Sequence, residues 1–325
     1  MKRHAFLRSL GAALLGCAVS TAFAQSPAAG YPSKPIRIIV GYAPGGANDI
    51  LARMVGQKLG EAFGQQVIVE NRASAGAIIG TDAAAKAAPD GYTLTMGASG
   101  PIVFNPSLYA KLPYDAMRDL APVSLVGSFP LILVVQASGP LHSVKELAAY
   151  SKANPSKSNY SSSAASFRLA TELLKNKAGI IAEHVPYKGS APAVQAVVAG
   201  EVLMTLVDSG PAAGAIKGGL LRGLAVTSAR RMPLLPDIPT MAEQGVDLRI
   251  TLWSGLLAPA GTPPAIIQKL QAEVARIVKL PDVRERMLQL GIEPEGSTPE
   301  EFARVIATEI PLWMAVAKAN NIQPE

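Results

Sequence analysis

Two short stretches of this chain carry residue types and spacings that can hold a small anion. The first is Pro44-Gly45-Gly46, just ahead of Asp49. Glycines let a backbone take positive φ and approach a ligand closely. Successive N–H groups at such a turn form an anion nest, and the start of a following helix adds its positive dipole end. For a carboxylate the dipole is worth about 0.3–1 kcal/mol. An ordinary tight strand-to-helix turn has the same composition, so the residues alone leave both readings open. Asp49 would be a polar anchor, a counter-charge for an amine, or a cap on its own helix, and Arg53 one turn later could orient it. The second stretch is Tyr160-Ser161-Ser162-Ser163-Ala164-Ala165-Ser166, read as a hydroxyl-rich loop before a helix. Hydroxyls and amides at a helix start suit a second carboxylate. Arg168 follows at once and could grip a carboxylate in two-pronged fashion, or lie on the surface.

Other residues are weaker candidates for the same work. Tyr187 ends a strand and could pack over a ligand. Asp208, in Asp208-Ser209-Gly210, ends another, and Ser99 follows a third. Strand ends are where open α/β sheets bind ligands. Tyr42 and Asn48, on either side of the glycine turn, complete the candidate set. Catalytic and metal chemistry finds less support. The three histidines are His4, His142 and His184, and Cys17 is the only cysteine. Such a set does not make up a transition-metal site. No GxSxG elbow, phosphate-binding loop or dinucleotide fingerprint occurs. A Ser162, His184 and Asp208 triad can be drawn on paper, but its spacing follows no motivated pattern. The chain therefore reads as a non-enzyme without metal or cofactor.

The N-terminus reads as an export leader, residues 1–24. Lys2, Arg3 and Arg8 precede the apolar stretch from Leu10 to Val19, and Ala22-Phe23-Ala24 has the small-x-small form of a cleavage site. That stretch is too short to span a bilayer. Leu14-Leu15-Gly16-Cys17 resembles a lipoprotein box, but the alanine site downstream favours a soluble periplasmic product. Cleavage there removes Cys17 and leaves no thiol for a disulfide. It also removes three positive charges from the formal +6, leaving +3. A mild positive balance is compatible with an anionic ligand. The basic residues are scattered rather than clustered, so the footprint of a nucleic-acid binder is missing.

Positioning these residues requires alternating strands and helices. Short β-branched runs at Ile36–Val40, Val67–Glu70, Thr93–Met96, Leu131–Val135, Leu203–Val207 and Leu224–Val226 read as strands. Asp49–Glu61, Val144–Lys152, Leu169–Lys177 and Ala191–Val198 read as helices. Thr262-Pro263 should open a further helix running to about Val278, and Thr298-Pro299-Glu300-Glu301 a last one with a capping box. The alternation predicts an α/β fold with mostly parallel sheets. Crossovers at Val123–Pro130 and Gly245–Trp253 would divide the chain into two lobes. One is continuous, residues 127–245, and the other is built from 25–126 and 246–325. Two crossings between lobes make a hinge.

At this point the chain resembles a known family, the Bug-type receptors of tripartite tricarboxylate transporters. The matching stretches run in order through the mature chain. They include Tyr31-Pro32-Ser33-Lys34-Pro35-Ile36, Ala43-Pro44-Gly45-Gly46-Ala47-Asn48-Asp49 and Pro89-Asp90-Gly91-Tyr92-Thr93-Leu94. Val185-Pro186-Tyr187-Lys188-Gly189 and Ala258-Pro259-Ala260-Gly261-Thr262-Pro263 follow. The resemblance implies a type 2 periplasmic-binding fold, a cleft between lobes, and capture of a small organic anion by a monomer for membrane transporter subunits. A sensor subunit feeding a signalling receptor is the alternative. It also implies that one end of the ligand sits at the Pro44–Gly46 loop and the other at the serine-rich loop, through Ser162, Ser163 and Ser166. Here the sequence departs from the family pattern. The usual glycines of that loop and the histidine before Leu169 are missing, and Arg168 stands near the histidine's place.

Overall fold

The computed structural model describes residues 30–162, 164–187 and 190–324. The expected leader lies outside the described residues, as do Ser163, Lys188 and Gly189.

The first lobe opens with β1 (Ile36–Val40), α1 (Ala47–Phe63), β2 (Val67–Asn71), α2 (Ile78–Ala85) and β3 (Thr93–Ala98). Strand β1 takes the bounds its β-branched run predicts, and it is buried between β2 and β3, parallel to both. After β3 the chain makes one wide π-helical turn, Gly100–Phe104, and the short α3 (Asn105–Leu108). π-turns often mark functional sites. Strand β4 (Leu120–Gln136) follows.

The second lobe then adds α4 (Val144–Ala153), β5 (Asn159–Ser162), α5 (Ala165–Ala178), β6 (Glu183–Pro186), α6 (Ser190–Val198), β7 (Met204–Asp208), α7 (Ser209–Lys217) and β8 (Leu221–Val226). The chain returns through β9 (Thr251–Pro259), α8 (Pro264–Ile277), α9 (Pro281–Gln289), the short β10 (Glu293–Pro294) and α10 (Pro299–Ala319). Thr298 and Glu301 form the expected capping box at the start of α10. At α8 the helix starts one residue later than expected: Pro263 is the N-cap, Pro264 takes the first turn, and the Thr262 hydroxyl donates to the Pro259 carbonyl instead of capping.

The α/β architecture is as expected, but its sheets are mixed rather than mostly parallel, because β4 and β9 run against their neighbours. The pairings β1–β2, β1–β3, β5–β6 and β5–β7 are parallel. The long strands β4 and β9 run antiparallel to their neighbours. Strand β4 is the reason one path joins both lobes. Its residues Leu120–Pro130 pair with β9, and from Leu131 onward it pairs with β7 and β8. Pro130 has no N–H to give to a ladder, which suits the point where partners change. Residues 120–130, read as ending in a crossover loop, are therefore extended strand, with Gly127 also accepting the edge pairing of β10. Thr227 ties the two crossings together: the Leu131 N–H donates to its hydroxyl at 2.8 Å, and that hydroxyl donates to the Ile250 carbonyl.

Helix α10 covers this junction. It packs on β4, on the π-turn, on α3 and on α5. Trp313 stacks on Phe104, and Phe302 meets the Trp253 ring edge-on. One core cluster consequently runs from Phe104 and Trp253 through Phe302 and Trp313 to Leu133, Tyr160 and Leu169.

Candidate functional site

A cavity of about 230 Å³ opens where the ends of these elements meet. From the first lobe come Tyr42, after β1, Gly76, ahead of α2, and Gly100, Phe104, Asn105, Leu108 and Tyr109 from the π-turn and α3. The second lobe contributes Ala164, Ala165, Ser166 and Arg168 at the start of α5. Ile322 and Gln323, beyond α10, close it. Of the residues singled out in the sequence, the fold brings Tyr42, Ser166 and Arg168 together on this cavity.

Among the described residues of the wall, Arg168 is the only charged one. Its Nε is buried with no hydrogen-bond partner. The nearest carboxylate along α5, Glu172, is already engaged: Lys175 Nζ lies 2.9 Å from it and the Tyr160 hydroxyl donates to it at 2.6 Å. Among the described residues Arg168 forms no ion pair with a carboxylate, and its guanidinium interacts with the Tyr160 hydroxyl while Nε stays unpartnered. Strand β5, unlike the expected loop, carries Tyr160, Ser161 and Ser162. Ser161 and Ser162 are buried. The Ser162 hydroxyl sits 2.7 Å from His184 Nε2 on β6. Burial first, and then the positive charge of Arg168, push the His184 imidazole down to about 4, so it is neutral at physiological pH.

The glycine turn is arranged differently. Pro44, Gly45 and Gly46 are exposed and are not part of the cavity wall. Gly45 takes φ of +90°, which an L side chain rarely adopts. Its N–H donates to Asp49 at 2.9 Å. Asp49 also accepts from Arg53 and Asn71. Burial alone would raise its carboxyl, but these bonds outweigh burial and hold it below the ordinary range. The chain's own carboxylate therefore takes one amide of the turn, while the N-cap of α1, Gly46, has no side-chain cap. Asn48 is likewise internal, donating to the Met96 carbonyl and accepting from Ser254.

The remaining candidates lie outside the cavity wall. Ser99 is buried with its hydroxyl near the Trp253 N–H, while its neighbour Gly100 faces the space. The Tyr187 hydroxyl donates to Glu201 at 3.2 Å. Asp208 accepts from Ser190 at 2.7 Å, and burial raises its carboxyl. Ser162 and His184 meet, but the hydrogen bond recorded for Asp208 goes to Ser190.

Sequence reasoning missed Gly76, Asn105 and Tyr109. Gly76 takes φ of +58°, and a Cβ there would lie 2.9 Å from the Tyr109 hydroxyl. The Asn105 amide donates to the Gly76 carbonyl at 2.9 Å and reaches the Tyr114 hydroxyl at 3.2 Å. A Gly-Pro pair at the end of β3, Gly100-Pro101, was the available signal. Among the described residues no group of three or more histidine, cysteine or acidic side chains could hold a metal. No described helix is long and apolar enough to cross a membrane.

The comparisons with known proteins bear on this cleft. The model of the tripartite tricarboxylate transporter family receptor matches residues 51–322. Protein BugT of Bordetella pertussis is 37% identical over 312 residues, covering 94% of this chain and 96% of BugT. An adipate-bound protein of R. palustris is 34% identical, with a TM-score of 0.78, covering 91% of this chain and 100% of that one. MatC of Rhodopseudomonas palustris, with bound malate, is 31% identical at a TM-score of 0.73, covering 88% of this chain and 99% of MatC. With a family match over most of its length and relatives of this identity, the chain belongs to the tripartite tricarboxylate transporter receptor family.

Proposed function

We propose that this chain is an exported periplasmic receptor that captures a small organic carboxylate between its lobes and presents it to the membrane subunits of a tripartite tricarboxylate-type transporter. Arg168 carries the reading: a guanidinium with no carboxylate ion pair among the described residues, and with a buried unpartnered Nε, in the wall of the inter-lobe cavity. A buried polar group without a partner costs free energy that a bound carboxylate restores. The related proteins solved with adipate and malate support an organic acid as ligand. The basic and apolar N-terminus with its alanine site supports export. The family description favours delivery to a transporter over sensing.

Within this proposal residues 127–245 form one lobe and residues 25–126 with 246–325 the other. The change of partners along β4 between Pro130 and Leu131 supports that division. Tyr42, Ser166 and Arg168 contact the ligand, joined by Gly76, Gly100 and Tyr109, while Asp49 shapes the first-lobe turn from beneath. The receptor acts as a monomer and releases its ligand unchanged.

A thermal-shift panel of organic acids, amino acids and amines tests the proposal. A ligand at a hundred times its Kd adds about 2.7 kcal/mol, which raises Tm by several degrees. Acids should produce that shift and Arg168→Ala should abolish it. A shift by amines or neutral compounds alone contradicts the proposal, as does turnover of the bound acid.

A further inference from the structure

The cavity is chemically lopsided. One end holds Arg168 and the start of α5. The wall facing it is built from Tyr42, Phe104, Leu108 and Tyr109, with Ile322 beside them. Four of these are aromatic or aliphatic side chains from the first lobe, and none is charged. Two of the polar groups on that side are already committed. The Asn105 amide donates to Gly76 and reaches Tyr114. The Gly45 N–H is taken by Asp49. Among the described residues of the wall, a second carboxylate placed toward the first lobe would meet no cation. Burying such a charge unpaired is strongly unfavourable. An apolar ring placed there gains from leaving water and from offset or edge contact with the tyrosine and phenylalanine rings. The space is sufficient: a cavity of about 150 Å³ accommodates benzene, and this one measures about 230 Å³.

We infer that the ligand is a monocarboxylate with a bulky, aromatic body, its carboxylate on Arg168 and its ring against Tyr42, Phe104 and Tyr109. The inference rests on the carboxylate-receptor reading and narrows it. The hydroxyls of Tyr42 and Tyr109 can hydrogen-bond a hydroxyl or carbonyl substituent on the ring, and neither supplies the charge that a second carboxylate needs. The ring discriminates by shape and the guanidinium by charge, so both parts of the ligand are required together.

Titration calorimetry on the purified protein tests this with benzoate, its uncharged counterpart benzamide, and adipate. Benzoate is expected to bind at least tenfold more tightly than adipate and at least a hundredfold more tightly than benzamide. Arg168→Gln should weaken benzoate at least tenfold while leaving the benzamide signal unchanged. Adipate binding as tightly as benzoate, or more so, overturns the aromatic assignment and leaves the carboxylate receptor standing. Benzamide matching benzoate removes the charge from the site. Failure of both acids to bind overturns this inference and the receptor reading together. The comparison of the three compounds on the unmodified protein decides the matter even if the variant fails to fold.

Discussion

Gly76 shows how a single backbone atom can shape a site. At φ of +58° an added Cβ would sit 2.9 Å from the Tyr109 hydroxyl and 3.1 Å from the Asn105 amide nitrogen. Left-handed backbone disfavours L residues by about 1–2 kcal/mol, and the contacts would push Tyr109 into the cavity. Gly76→Ala is therefore expected to lower stability by about 1–2 kcal/mol and to weaken ligand binding more than that strain accounts for. Denaturant midpoints and titration of the same variant separate the two effects. A variant that loses stability but binds normally would place Tyr109 outside the site. Gly45 is the contrasting case: its φ is +90° and a Cβ there would meet nothing within 4 Å. What Gly45 contributes is conformation, holding its N–H toward Asp49.

Strand β9 and helix α10 meet at close quarters. Gly255 on β9 lets Phe302 approach so near that a Cβ would overlap the ring. Trp253, on the same strand, donates from its indole to Glu309 of α10 at 3.0 Å. Burial raises the Glu309 carboxyl to about 7, although the indole hydrogen bonds act against it. The sign follows from linkage: a carboxyl raised in the folded state contributes stability that is full below its unfolded value near 4.5 and is lost as pH rises through 7. Glu309→Gln keeps an acceptor for Trp253 and cannot ionise. It should match the parent protein near pH 4 and exceed it by about 1–3 kcal/mol at pH 8. Urea midpoints at the two values check this; a constant difference between them would mean that Glu309 ionises normally in the fold. His184 works in the opposite sense, since its imidazole is lowered to about 4 and costs stability as pH falls from 6.5 toward that value.

For the whole molecule the decisive feature is that strand β4 pairs within both sheets and helix α10 packs on elements of both lobes. Thr227 fastens the crossings to each other, and α10 packs across them, so closure must turn about this tied junction. Ligand binding shifts such an equilibrium only through contacts that differ between open and closed states. In the proposed receptor, Arg168 on one side and Tyr42 and Tyr109 on the other would supply such contacts. Small-angle scattering should accordingly show a smaller radius of gyration at saturating ligand. Binding with no change in radius would mean that the lobes are already closed without it.

Much of this architecture was legible in the residues because its signals are local. A β-branched run set β1 at Ile36–Val40, and Thr298 with Glu301 announced the start of α10. Ordered family motifs identified the receptor. Local signals failed where distant segments competed for the same groups. The serine-rich stretch is partly strand because β6 and β7 offer Tyr160 and Ser161 ladder partners that no short window contains. The residues 120–130 stay extended through two prolines because β9 pairs along them. The glycine turn looked like an anion nest, and the fold gives its Gly45 amide to Asp49. The sequence by itself determined most of the elements, the capping box of α10 and the family. Only the tertiary structure decided that Arg168 faces a cavity and that residues from both ends of the chain, Tyr42 and Gln323, share its wall. The physical reason is reach: propensity and capping act within a turn or a ladder step, whereas a cleft is made by surfaces that meet only after the chain has folded.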